Sequence, residues 1–204
     1  MSGAPVLGLP GINLHSGDHV CAFYRDEEER DELLLPFLRE GVRAGQKCLC
    51  VVESVSPDIV RDALGHDANA VREGTLDVLT PSESYLRGGV FSMPAMLEFW
   101  QQRVDTALIG GTYDFVRVVG EMPRALTDRR DHDAFLLYES ELNRFAALRP
   151  QVIVCLYDLG RFGGAVLIDI LRTHPLIMLG GAVLENPYYL QPDEFLSTRN
   201  ISAA

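Results

Sequence analysis

The stretch GDHVCAFYRDEEERDELLLPFLREGVRAGQKCLCVV, residues 17–52, decides the fold, because it holds a strand, a turn, a helix and a second strand in succession. HVCAFY (19–24) and QKCLCVVES (46–54) are short runs of β-branched, aromatic and small apolar residues, which suits strands buried on both faces. Between them, residues 27–44 place Leu34, Leu38 and Val42 at four-residue spacing, a helical stripe for one core face. Pro36 removes a backbone donor and bends this helix, and Gly45 stops it. A strand–turn–helix unit often cradles a phosphate, using glycines whose N–H groups converge on the anion, a Lys for charge and a Ser or Thr hydroxyl for magnesium. The turn here, Arg25 to Arg30, has none of these and carries four carboxylates at Asp26, Glu27, Glu28 and Glu29. They suit the positive end of the helix they introduce and would repel a triphosphate. The turn is expected to cap a helix, not to hold a nucleotide.

The same grammar continues outward. SPDIVRDALG opens with Ser56 as N-cap and Pro57 at the first helical position, and the helix is expected to end at Gly65. TLDVLTP (75–81) reads as a strand, and 92–111 as a helix with Met96, Phe99, Trp100, Val104 and Leu108 at helical spacing. YDFVRVVGE is the next strand, and 131–150 the longest helix, with Phe135, Tyr138, Leu142 and Phe145 at three- and four-residue steps. QVIVCLYD, a short helix stopped at Pro175, and a terminal pair of strands joined at Gly180-Gly181 complete the pattern. Short apolar strands alternating with helices predict an α/β fold of three layers, a mostly parallel central sheet with helices on both faces. Residues 1–16 read as a flexible arm, 17–196 as one domain and 197–204 as a tail.

The whole chain has 204 residues, 18 Lys and Arg against 29 Asp and Glu, and a formal charge of -11. That charge disfavours direct contact with nucleic acid or anionic lipid. No run approaches a membrane span, so a cytoplasmic protein is expected. Cys21, Cys48, Cys50 and Cys155 lie inside apolar runs, as packed, reduced thiols do.

Parallel sheets bind ligands at the carboxyl ends of their strands. Here those ends are Tyr24 and Arg25, Glu53, Gly120 and Glu121, and Asp158. Glu121 and Asp158 stand where a nucleotide hydrolase keeps its magnesium and base carboxylates, and they either order a polar rim around a small ligand or cap backbone N–H groups. Tyr157, Arg161 and Phe162 surround a glycine turn that allows close backbone approach to a ligand or a strand. Tyr138 reads as core, Glu139 and Asn143 share a helix face, and His174 before Pro175 marks extended backbone. His19 and Cys21 share a strand face, and Cys48 and Cys50 repeat that geometry on the strand expected beside it. Zinc sites usually come from turns with C-x-x-C spacing, so burial of small thiols is the reading taken, with no metal and no cofactor.

In order along the chain, HVCAFY with its following helix, then ESYLRGGVF, VVGEM, YESELNR, VCLYDLGRFGG, LRTHPLIMLGG and ENPYYLQPDEF resemble the MEDS domain, the methanogen/methylotroph DcmR sensory domain. The resemblance runs from about Gly17 to Phe195. It implies a RecA/KaiC-like fold without the Walker phosphate loop, a degenerate relative of the P-loop NTPases. It also implies a sensor of small hydrocarbon derivatives in bacterial and archaeal signalling or transcription, and it places His19 and Cys21 in the pocket. With them Tyr24, Glu121, Tyr157 and Asp158 form the expected ligand-facing set, with no catalytic residue among them. No helix-turn-helix segment accompanies the domain in this sequence, so the expectation is either a separate kinase, anti-sigma factor or regulator as partner or a piece of a longer chain, with self-association as in RecA-like relatives. Two alternatives stay open: a metal-dependent hydrolase using Glu53, Glu121 and Asp158, and a ligand-free interaction domain docking through the acidic helix from Asp26 to Glu32.

Overall fold

The computed structural model describes residues 14–69, 74–123 and 129–199. Its sheet is built from β1 (His19–Tyr24), β2 (Lys47–Val51), β3 (Leu76–Leu79), β4 (Val116–Glu121), β5 (Gln151–Asp158), β6 (Leu176–Leu179) and β7 (Ala182–Glu185). The order across the sheet is β3-β2-β4-β5-β1-β6-β7. Every pairing is parallel except the β6–β7 hairpin. That hairpin turns at Gly180 and Gly181, both at positive φ (52° and 79°), as a two-residue type I′ turn requires.

The helices are α1 (Glu27–Arg43), α2 (Pro57–Asn69), α3 (Met93–Leu108), α4 (Arg129–Ala147), α5 (Gly164–Thr173) and α6 (Pro192–Thr198). Alternation along the strands divides the core into two layers. Val20, Ala22 and Tyr24 of β1 pack with Leu34, Phe37 and Leu38 of α1 and with Val60 and Leu64 of α2. Cys21 and Phe23 pack on the opposite face with Trp100 of α3, Phe135, Tyr138 and Leu142 of α4, Ile170 of α5 and Phe195 of α6. Each such large apolar side chain contributes about 1.5–3 kcal/mol when fully buried. The expected three-layer, mostly parallel α/β fold is therefore the observed one.

The opening turn behaves as its carboxylates require. Asp26 is the N-cap of α1, its Oδ1 accepting the Glu29 N–H at 3.0 Å, and Glu29 reaches back to accept the Arg25 N–H at 2.8 Å and the Arg25 Nε at 2.8 Å. The Arg25 and Glu29 N–H groups and the Arg25 Nε are thus satisfied within the turn.

Several expectations change. Strand β1 lies between β5 and β6, with β4 and β5 separating it from β2, so Cys48 and Cys50 are not neighbours of His19 and Cys21. The register sets Cys21 opposite Cys155. Cys48 and Cys50 belong to the other core layer, and all four thiols are free and buried. Consecutive strands joined by a helical crossover need not pair, because later strands are inserted between them. Helix α2 runs past Gly65, whose φ of 41° breaks it without ending it. A Cβ at Gly163 or Gly164 would meet nothing within 4 Å, so no strand packs closely on these glycines. The expected arm lies outside the described residues up to residue 13, but Leu14 is buried. Helix α6 covers Pro192–Thr198, where no helix is read from the sequence.

Candidate functional site

At the carboxyl edge, Glu121 ends β4 and is 1% exposed. Its Oε1 accepts from the Tyr24 hydroxyl at 2.7 Å, and its Oε2 accepts the backbone N–H groups of Glu53 (2.7 Å) and Ser54 (2.8 Å). Burial opposes its ionisation, yet the donors from Ser54, Tyr24 and the Glu53 N–H outweigh it and hold the carboxyl below its ordinary value. The Tyr24 phenol is pushed up by burial and by the facing Glu121. Asp158 accepts the Gly160 N–H at 2.8 Å and pairs with Arg161 Nε at 2.9 Å, while Arg161 Nη1 donates to Glu53 at 2.9 Å. The strand-end carboxylates therefore engage nearby N–H groups and a guanidinium.

Beside this edge lies a cleft of about 390 Å³, lined by Phe23, Glu29, Glu32, Leu33, Pro36, Gly180 and Gly181. It sits where β1 hands over to α1 and where the β6–β7 turn folds back. Phe23 forms its inner wall and packs on Tyr157 with ring centroids 5.8 Å apart. Tyr157 meets His174 edge-on at 5.7 Å, and His174 lies 4.1 Å from His19. A chain of four rings thus runs from the cleft into the core.

At the inner end of that chain, four elements bring polar groups together among apolar ones. His19 comes from β1, Glu139 from α4, Cys155 from β5 and His174 from the junction of α5 and β6, and all four are buried. His19 Nε2 lies 3.4 Å from Cys155 Sγ and 3.5 Å from Glu139 Oε2; His174 Nε2 lies 3.3 Å from the same carboxylate oxygen, without hydrogen-bond alignment. Burial, and then the neighbouring His174, push the His19 ring down to about 4, which leaves it neutral at physiological pH. Burial and the Glu139 carboxylate push the Cys155 thiol well up. Among the described residues, Glu139 Oε1 and the Tyr157 hydroxyl have no hydrogen-bond partner. Such orphaned groups are costly in an apolar core.

The geometry and the sequence meet in one comparison. The family model described as MEDS, MEthanogen/methylotroph, DcmR Sensory domain, matches residues 18–175. The chain belongs to the MEDS family. This MEDS domain is 28% identical over 173 residues to the transcriptional repressor DcmR of Methylorubrum extorquens (strain DSM 6343 / CIP 106787 / DM4). That match covers 81% of this chain and 61% of the repressor, so the chain spans under two thirds of its curated relative. Among solved structures, the KaiC-like protein PH0186 of Pyrococcus horikoshii OT3 superposes with a TM-score of 0.62 at 12% identity, covering 85% of this chain and 78% of that one. The flagellar accessory protein FlaH of Methanocaldococcus jannaschii gives a TM-score of 0.48 at 11% identity, covering 82% and 75%. The superposition on the PH0186 structure gives the MEDS domain a KaiC-like α/β fold. Among the described residues no helix is long and apolar enough to cross a membrane.

The six residues expected to face a ligand fall into three places. His19, Cys21 and Tyr157 lie on the α4 side of the sheet, Tyr24 and Glu121 meet on the α1 side, and Asp158 stays at the rim. Missing from that set are Glu139, Cys155 and His174, which complete the buried cluster of the MEDS domain, and Phe23 and Leu33, which line the cleft. Glu139 had a signal: it stands four residues after Phe135 and three before Leu142, inside the apolar stripe of its helix. Tyr138 is core, its hydroxyl accepting from Trp100 Nε1 at 2.8 Å.

Proposed function

We propose that the domain is a non-catalytic sensor of a small, neutral, mostly apolar molecule of the hydrocarbon-derivative class, which relays occupancy to a protein partner in prokaryotic signalling or transcriptional control. The observation that carries this reading is the cleft whose inner wall, Phe23, is in ring contact with Tyr157. Its volume falls at the small end of the ligand-site range. Glu29 and Glu32 on its rim repel anions, and the nearby Arg25 is held by Glu29. A neutral molecule meets no such penalty. Movement of Phe23 passes through Tyr157 to His174, at the α5–β6 junction, and relay requires only that the ligand bind two arrangements of these rings unequally.

Several features support the non-catalytic part. The N–H groups of Glu53 and Ser54 are used by Glu121, and that of Arg25 by Glu29, which leaves these donors no vacancy for a phosphate. The hydrolase alternative needs Glu53, Glu121 and Asp158 free to converge on a cation, whereas Arg161 bridges the first and last and Tyr24 holds the second. The likeness to a transcriptional repressor supports a regulatory context for the signal.

The test is a thermal-denaturation panel of neutral alcohols, ethers and haloalkanes of one to four carbons, with carboxylates and MgATP beside them. At a hundredfold excess over its dissociation constant a ligand adds about 2.7 kcal/mol, a shift of several degrees for a chain of this size. A shift confined to neutral compounds and abolished in Phe23→Trp, which fills the cleft, is expected. Stabilisation by MgATP at micromolar concentration overturns the reading.

A further inference from the structure

The geometry points to the buried tetrad His19, Glu139, Cys155 and His174 as a closed, four-coordinate site for a zinc-class divalent cation. This inference is independent of the ligand proposed for the cleft. Metal–ligand bonds of roughly 2.0–2.3 Å place the corners of a tetrahedral site roughly 3.3–3.8 Å apart. Four of the six corner-to-corner distances here are 3.3, 3.4, 3.5 and 3.6 Å, and the other two remain within 4.8 Å.

The hydrogen bonds around the tetrad fix which ring atoms face inward. Asn143 Nδ2 donates to the carbonyls of Ser140 (3.1 Å) and Thr173 (2.8 Å), so its Oδ1 is the atom turned to His19 Nδ1 at 3.1 Å. That oxygen only accepts, so His19 Nδ1 carries the proton and the neutral ring presents a lone pair at Nε2. His174 Nδ1 lies 2.8 Å from the Ile170 carbonyl, which imposes the same tautomer. Asn186 in turn donates to the His174 carbonyl at 2.7 Å and holds the residue in place. Both imidazoles are thus anchored through Nδ1 with Nε2 beside the same Glu139 oxygen, the support expected of metal-bound histidines.

Without a cation, two imidazole lone pairs and a carboxylate oxygen converge, with the Cys155 thiol hydrogen as the proton among them. A divalent cation resolves this. On binding, Cys155 gives its proton to solvent, Glu139 binds as carboxylate, and two positive charges meet two negative ones beside two neutral rings. The net charge of the site is then zero, as a dry core demands. Imidazole, thiolate and carboxylate together suit zinc, iron(II) or cobalt(II) over magnesium or calcium. Four protein ligands leave no open position, so the ion staples β1, α4, β5 and the α5–β6 junction without doing chemistry.

Metal analysis of the purified chain, with the protein also made in cobalt-supplemented medium, tests this. About one equivalent of metal per chain is expected, and the cobalt form should show a thiolate-to-cobalt charge-transfer band with tetrahedral visible bands. Cys155→Ser should abolish the charge-transfer band, and Cys50→Ser, in the other core layer, should retain it. If Cys155→Ser fails to fold, the wild-type cobalt spectrum decides. Folded wild-type protein that takes up neither metal, or cobalt bound without a thiolate band, overturns the site.

Discussion

The hydroxyl of Tyr24 donates a 2.7 Å hydrogen bond to Oε1 of Glu121, tying the carboxyl end of β1 to that of β4 across the intervening β5. With the N–H groups of Glu53 and Ser54 on Oε2, one carboxylate gathers β1, β2 and β4. An internal anion thus holds the carboxyl edge of the sheet together.

Glu121→Gln should lower stability at neutral pH by about 1–3 kcal/mol, because charge-assisted hydrogen bonds to buried groups are lost. The folded carboxyl lies below its ordinary value, so its contribution is present above the unfolded pKa of about 4.3 and is lost as pH falls through the folded value. Denaturant titrations at neutral pH and near pH 3 should show the gap between wild type and variant closing at the acid end. A gap that widens on acidification refutes the assignment.

Gly41→Ala inverts the usual rule for helices. In an exposed helix this change stabilises by roughly 1 kcal/mol. At this position the new Cβ would lie 2.5 Å from Cys48 Sγ and 2.6 Å from Arg117 Cδ, both buried. The melting temperature should fall, and a rise would show that α1 stands farther from β2 than described.

Tyr157→Phe removes a buried hydroxyl that has no partner among the described residues. Such a group costs about 1–3 kcal/mol when left unpaired, so the variant should melt at or above the wild-type temperature. If a ligand's polar atom meets this hydroxyl, the same variant loses part of its ligand-induced shift. A clear loss of stability without ligand contradicts the orphaned geometry.

Leu33→Asp places a third carboxylate on the cleft, beside Glu29 and Glu32. Binding of neutral compounds should weaken by tenfold or more as apolar contact is replaced by a charge needing water, about 1.4 kcal/mol per decade. Calorimetric titration with a neutral compound found in the melting panel checks this.

The elements were legible because apolar runs alternate with strong punctuation: Asp26 and Ser92 cap helices, and Gly45 and Gly180-Gly181 turn the chain. Strand order was not, since HVCAFY and QKCLCVV are both short apolar runs and nothing local says that β4 and β5 come between them. The carboxyl-edge residues followed from strand ends alone, and Tyr24 does meet Glu121. The buried tetrad escaped because its members come from four elements far apart in sequence. His174 carried the stronger local reading of a residue before proline, and Glu139 looked like a helix partner of Asn143 although its stripe faces the core.

The most direct measurement is a two-dimensional NMR titration of the ¹⁵N-labelled protein with a neutral haloalkane or alcohol from the melting panel and, separately, with MgATP. The account predicts that the neutral compound moves the amides of Phe23, Leu33, Gly180 and Gly181 together with that of Tyr157, while MgATP leaves the 24–29 turn unmoved. Saturable shifts in that turn with MgATP, and none in the cleft with any neutral compound, would contradict it.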